Sequence, residues 1–179
     1  MNSYAVFLRG INVGGINIKM ADLRDALVAQ GFAGVKTLLA SGNVVLASEL
    51  DAAAVKQEFE KCLRASFGYD AWVVVLTARR VSELVDACPY PEDDKSTHTY
   101  ITLASDTGSL DELDTAGAAL EGAEQKRLGP EALAWLAPAG GTLDSPFSKI
   151  SSKPKFKATT TTRNLRTLIK VRDAAAALS

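Results

Sequence analysis

Residues 4–76 switch repeatedly between two spacings of apolar side chains, and the order of those switches restricts the fold more than any single motif does. Residues 4–9, Tyr-Ala-Val-Phe-Leu-Arg, are apolar at successive positions until Gly10 stops the run, the pattern of a short strand buried on both faces. Met20, Leu23, Leu27 and Val28 then recur at helical spacing, with Asn17 as a candidate cap and Gly31 as the stop. Two β-prone runs, residues 35–39 and 44–47, flank Ala40-Ser41-Gly42-Asn43, where Gly and Asn suit the positive φ of a tight turn. Val55, Phe59, Leu63 and Phe67 share one helical stripe from about Asp51 to Gly68. Cys62 sits beside that stripe and reads as a small core residue. A continuous apolar strand over residues 71–76 completes the order βαββαβ.

In the ferredoxin-like arrangement of that order, the sheet runs 4-1-3-2, antiparallel, with both helices on one face. The exit of the first strand, the turn between the second and third, and the loop before the fourth then share one edge of the sheet. Beyond residue 77 the pattern predicts a helix over residues 78–87 ended by Cys88-Pro89, then an exposed Pro-rich acidic loop. A strand over residues 98–104 and a helix over residues 110–120 follow. Next come a hairpin of residues 124–128 and 132–136 around Gly129-Pro130 and a terminal helix over residues 163–178. The second half thus reads as βαββα, a shortened echo of the first. The expected organisation is α+β, with a ferredoxin-like subdomain at residues 1–77 packed on a smaller α+β subdomain at residues 78–179 that carries a basic C-terminal segment.

The 179 residues are 47% hydrophobic and 23% charged, ordinary globular values that exclude disorder for the bulk of the chain. A formal net charge of -1 gives no whole-chain attraction to nucleic acid or to an anionic membrane. Charge is nonetheless segregated. Eleven acidic residues lie between Glu83 and Glu124 against the single Lys95, whereas Ser145 to Arg172 holds eight basic residues and no acidic one. Two cysteines, Cys62 and Cys88, make neither a disulfide framework nor a Cys-x-x-Cys pair. The N-terminus has no basic leader, and its apolar run is too short for a signal or a spanning helix, so a cytoplasmic location and no membrane partner are expected.

Arg9-Gly-Ile-Asn-Val-Gly-Gly15, Met20-Ala-Asp-Leu-Arg24, Thr37-Leu-Leu-Ala-Ser-Gly-Asn43 and Thr161-Thr-Arg-Asn164 occur in that order. Together they resemble the DUF1697 family of uncharacterised, mainly bacterial proteins, across nearly the whole chain. The resemblance implies two α+β subdomains, the first ferredoxin-like. It implies no activity and carries over no catalytic residue. Relatives often place an aromatic residue after the Thr-Arg-Asn run, where this chain has Leu165.

Gly10, Gly14 and Gly15 sit between a strand and a helix, as in turns whose N–H groups cradle an anion. Their spacing matches neither Gly-x-Gly-x-x-Gly nor a P-loop, and the plain alternative is a sharp change of direction. Arg9 and Asn12 should share their sheet edge with Ser41 and Asn43. Arg163 and Asn164, behind a run of four threonines, read as a second arginine at a helix start, with Thr161 or Thr162 as the cap. The expected ligand site therefore comprises Arg9, Asn12, Gly14, Gly15, Ser41, Asn43 and Arg163, enclosing a small phosphate- or carboxylate-bearing ligand at the subdomain junction. Nucleic-acid binding through the basic segment is the alternative, although residues 44–47 hold no aromatic and no RRM motif is present. The competing reading of that segment is a solvated stretch pairing with the acidic middle of its own chain. A third reading is an interaction module without a ligand. No catalytic constellation is legible: His98 is the single histidine, and Glu92, Asp93 and Asp94 upstream of it form a Pro-flanked loop of a kind that is usually solvated. No metal and no cofactor are expected.

Overall fold

The structure is a computed structural model that describes residues 1–9, 16–70, 72–92, 94–141 and 144–178. Among these residues the fold is mixed α+β, with two antiparallel four-stranded sheets and seven helices. The chain divides into two compact units, Met1–Ser82 with Lys170–Ser179, and Glu83–Ile169. The last ten residues thus belong with the first unit, and each unit is described by itself.

The first unit contains β1 (Asn2–Leu8), α1 (Met20–Ala29), β2 (Ala33–Leu38), β3 (Asn43–Ser48), α2 (Ala52–Phe67) and β4 (Val73–Thr77), and α3 (Ala78–Ala87) begins within it. The sheet order is β2-β3-β1-β4, the 4-1-3-2 order expected from the sequence read from the opposite edge. Tyr4, Val6 and Leu8 of β1, with Val44 and Leu46 of β3, pack in one cluster with Leu23 and Leu27 of α1 and Val55, Phe59, Cys62 and Leu63 of α2. Both helices therefore lie on the same face. The alternate residues Ala5, Phe7 and Val45 are also fully buried, as an apolar run without alternation requires.

Helix α2 has the boundaries its sequence dictates. Asp51 caps it by accepting from Ala54 N–H at 2.8 Å, and Gly68 closes it at φ 60°. Helix α1 starts differently from expectation. Lys19, not Asn17, occupies its N-cap position, and no side chain caps it. In the β2–β3 turn the positive φ values fall on Leu39 (59°) and Gly42 (84°), while Asn43 is already the first residue of β3. Asn43 pairs with Phe7, and that register pulls it out of the turn.

The second unit contains β5 (Thr97–Ala104), α4 (Thr107–Ala118), β6 (Gln125–Gly129), β7 (Ala132–Pro138), α5 (Pro146–Ser151), α6 (Pro154–Lys157) and β8 (Thr160–Asn164). Helix α7 (Leu165–Ala176) begins here and ends in the first unit. The sheet order is β6-β7-β5-β8, the same as in the first unit. The echo is complete rather than shortened. Ala104 N–H donates to Glu131 O at 3.0 Å, as Leu8 N–H donates to Gly42 O at 2.9 Å, so in both units the first strand ends tied to its hairpin turn.

The strand that completes the echo corrects the reading of the threonine run. Asn164 caps the last helix by accepting from Arg166 N–H at 2.8 Å, but residues 160–164 do not start it. They pair with β5 in antiparallel register from Tyr100↔Asn164 to Ala104↔Thr160, and the helix begins at Leu165. Thr161 and Thr162 are β-branched, and a ladder partner was available to override their capping preference.

Candidate functional site

The edge of the first sheet where β1 ends gathers polar and aromatic groups around the predicted site residue Arg9. Arg9 follows directly on Leu8, which pairs with Val73 at the start of β4, so Arg9 and Trp72 are the next residues outward from these neighbouring strands. The Arg9 guanidinium carbon stands 5.7 Å from the centroid of the Trp72 ring, and Lys56 Nζ stands 6.0 Å from the same centroid. Arg9 and Trp72 are both half-buried.

Lys56 is held in place by the geometry of an edge strand. β4 has a neighbour on one side only, so Val73 turns an N–H and a carbonyl away from the ladder. Two side chains one helical turn apart on α2 take the role of the missing strand. Glu60 Oε1 accepts from Val73 N–H at 3.0 Å, Lys56 Nζ donates to Val73 O at 2.6 Å, and Lys56 and Glu60 meet each other at 2.5 Å. The backbone next to Trp72 is thereby pinned to α2. Tyr69, only 7% exposed, completes the group: burial pushes its phenol pKa up, and the Arg9 charge acts in the opposite direction.

The predicted turn residues join this edge through the backbone. Asn43 is fully buried, and its amide donates to Leu38 O at 2.9 Å and to Ser41 Oγ at 3.0 Å. Its amide hydrogens thus brace the turn that accepts from Leu8 N–H. Asn12, Gly14 and Gly15 lie outside the described residues. Arg163 belongs to the second unit. It sits in β8 rather than at a helix start, is 6% exposed, and donates to Thr161 Oγ1 at 2.6 Å and Thr162 O at 3.1 Å. Burial of its charge lowers its pKa to about 10.

Trp72, Lys56, Glu60 and Tyr69 were not singled out from the sequence. A signal existed. Lys56 and Glu60 directly follow Val55 and Phe59 on the core stripe of α2, so both had to lie at the margin of the buried face. Trp72 was hidden because it reads as one more apolar residue in a buried strand.

Other groups have the character of structure. Burial pushes the thiols of Cys62 and Cys88 up, against weaker opposing hydrogen bonds, which disfavours the nucleophilic thiolate. In the acidic loop, Asp93 lies outside the described residues. Asp94 accepts from Ser96 N–H at 2.6 Å, Ser96 Oγ at 2.7 Å and Thr97 N–H at 2.8 Å, all through Oδ1. Among the described residues no three His, Cys, Asp or Glu side chains are placed to hold a metal ion. The bonds from Ser96 and Thr97 hold the Asp94 carboxyl below its ordinary value. The expected result of following Asp94 by NMR is therefore a titration midpoint below 3.8. Because the folded value is the depressed one, the turn's stabilisation is present above the unfolded pKa and is lost as pH falls through the folded pKa. A midpoint at or above 3.8 would remove the turn as the cause.

In the basic segment, Lys149, Lys153, Lys155 and Lys157 are exposed, and Lys155 forms an ion pair with Glu112 on α4. Both partners of that pair are more than half exposed, so it contributes little to stability. Among the described residues no helix is long and apolar enough to cross a membrane.

A family model described as "Protein of unknown function (DUF1697)" matches residues 1–133. A comparison with curated proteins finds no match. Among solved structures, a conserved bacterial protein from Streptococcus pneumoniae is similar with a TM-score of 0.80 over 97% of this chain and 98% of that one. The two are 21% identical, so this likeness shows the fold alone.

Proposed function

The chain belongs to the DUF1697 family, whose description assigns no activity, and from the geometry of the first unit we propose that it binds a small anionic ligand where β1 ends. The observation that carries this reading is the convergence of Arg9 and Lys56 on the half-buried Trp72 ring at the edge to which the Ser41–Asn43 turn is tied. Glu60 offsets the charge of Lys56, so the potential at this partly desolvated position, where an anion gains most, comes chiefly from Arg9, 5.7 Å from the ring centroid. Arg9 would supply bidentate contacts to a phosphate or carboxylate. Lys56 would act as a fixed point charge, since Glu60 and Val73 O already orient it. The order β2-β3-β1-β4 with α1 and α2 on one face supports a ferredoxin-like reading of this unit. The proposal does not depend on Arg163.

The nucleic-acid alternative has less support. The central strands of the first sheet are buried on both faces, so they offer no open surface for stacked bases. Isothermal titration with inorganic phosphate and ribose 5-phosphate tests the anion reading. Binding by the wild type that falls at least tenfold in Arg9→Ala is expected, since a charge-assisted bidentate contact is worth about 1.5–3 kcal/mol. Equal binding by both proteins would count against it.

A further inference from the structure

We infer that the ligand carries a planar ring as well as an anionic group, in the manner of a nucleoside monophosphate, and that Trp72 is the residue that selects the ring. The inference rests on the anion reading of the same edge and deepens it.

Three observations lead to it. Trp72 is half-buried immediately before β4, so part of the residue remains accessible. The residue after it is held at both backbone polar groups by Glu60 and Lys56, which pins the backbone next to the indole. Arg9 and Lys56 lie 5.7 and 6.0 Å from the ring centroid, so an anionic group drawn to them is brought beside the aromatic face. A phosphate alone would use the two cations. A ligand whose planar ring lies against the part of the indole that Arg9 and Lys56 do not cover would use all three groups at once, and stacking on an aromatic side chain tolerates any base because every base has a π-face. The preorganised indole also loses little freedom when the ring stacks.

The alternative is that the Arg9–Trp72 contact only stiffens the edge, as cation–π pairs often do. Substitution at Trp72 separates the two. Trp72→Leu keeps apolar bulk and removes the π-face, whereas Trp72→Phe keeps a smaller one. Circular dichroism and the thermal midpoint establish that each variant is folded before titration.

The probes are inorganic phosphate, ribose 5-phosphate and AMP. The expected result is that AMP binds the wild type roughly tenfold more tightly than ribose 5-phosphate, the factor that stacking of one base supplies. Trp72→Phe should keep most of that preference. Trp72→Leu should abolish the preference, so that within this variant AMP and ribose 5-phosphate bind with equal affinity. Equal affinity of the wild type for AMP and ribose 5-phosphate would overturn the inference and leave the anion reading standing. Absence of binding by all three probes would overturn both. A single-stranded oligonucleotide that binds far more tightly than AMP, and loses that advantage in Lys153→Glu/Lys155→Glu, would overturn the choice of a mononucleotide in favour of nucleic acid.

Discussion

Phe59→Ala is expected to lower the free energy of unfolding by about 3–5 kcal/mol, the range for emptying a buried aromatic site. Phe59 has no solvent exposure, stands on the buried face of α2 and packs against Phe32 at a centroid distance of 6.3 Å with the rings tilted by 44°. It is the largest fully buried side chain that α2 contributes to the first core, so its loss removes transfer free energy and leaves a cavity the backbone of a capped helix cannot readily close. Phe59→Leu should cost less, about 1–2 kcal/mol, because much of the volume is kept. Urea unfolding followed by circular dichroism provides the comparison. A Phe59→Ala loss below about 1 kcal/mol would mean that α2 is not what closes this core.

Trp135→Ala should be as damaging in the second unit, again by about 3–5 kcal/mol. Trp135 is 3% exposed and central to a row of rings, 4.8 Å from Tyr100 and 4.9 Å from Phe147. Its indole N–H donates to Thr102 Oγ1 at 3.0 Å, and that hydroxyl meets Thr162 Oγ1 at 2.9 Å. The chain of contacts joins β7, β5 and β8, so the ring and its polar tip act on different neighbours. Trp135→Phe separates them, keeping most of the stacking while removing the donor, with an expected cost of about 1–2 kcal/mol. If Phe and Ala variants were equally destabilised, the hydrogen bond rather than the packing would be the dominant contribution.

The parts of the fold that could be read in advance are those where a local cause and the tertiary contact agree. Val55, Phe59 and Leu63 mark the stripe of α2, and Asp51 and Gly68 supply its ends, so the helix needed nothing distant to be located. The uninterrupted apolar run of β1 likewise announced burial on both faces. Where the cause was distant, the reading failed. Thr160 to Asn164 have no strand-like alternation of apolar residues, and only pairing with β5 makes them a strand. That single omission shortened the second unit's echo and misplaced Arg163. In the turn after β2 the positive φ was assigned to Gly42 and Asn43 on propensity; Gly42 takes it, but cross-strand pairing with Phe7 draws Asn43 into β3, and Leu39 is the other residue with positive φ.

The candidate site divides in the same way. Arg9, Ser41 and Asn43 were placed on one edge from strand order alone, because topology decides which loops leave a sheet together. What each side chain does there was not legible. The Asn43 amide braces the turn from the first position of β3, and the partners of Arg9 include Trp72, whose neighbourhood depends on the β1–β4 register and on the way α2 secures an edge strand.

The central claim is that the end of β1 is an anion site, and a crystal structure of the protein soaked in phosphate tests it most directly. The account predicts phosphate within hydrogen-bond distance of the Arg9 guanidinium, beside Trp72, and none at that position in Arg9→Ala crystals. Phosphate bound elsewhere with the Arg9 edge unoccupied, in crystals where no neighbouring molecule covers that edge, would contradict it.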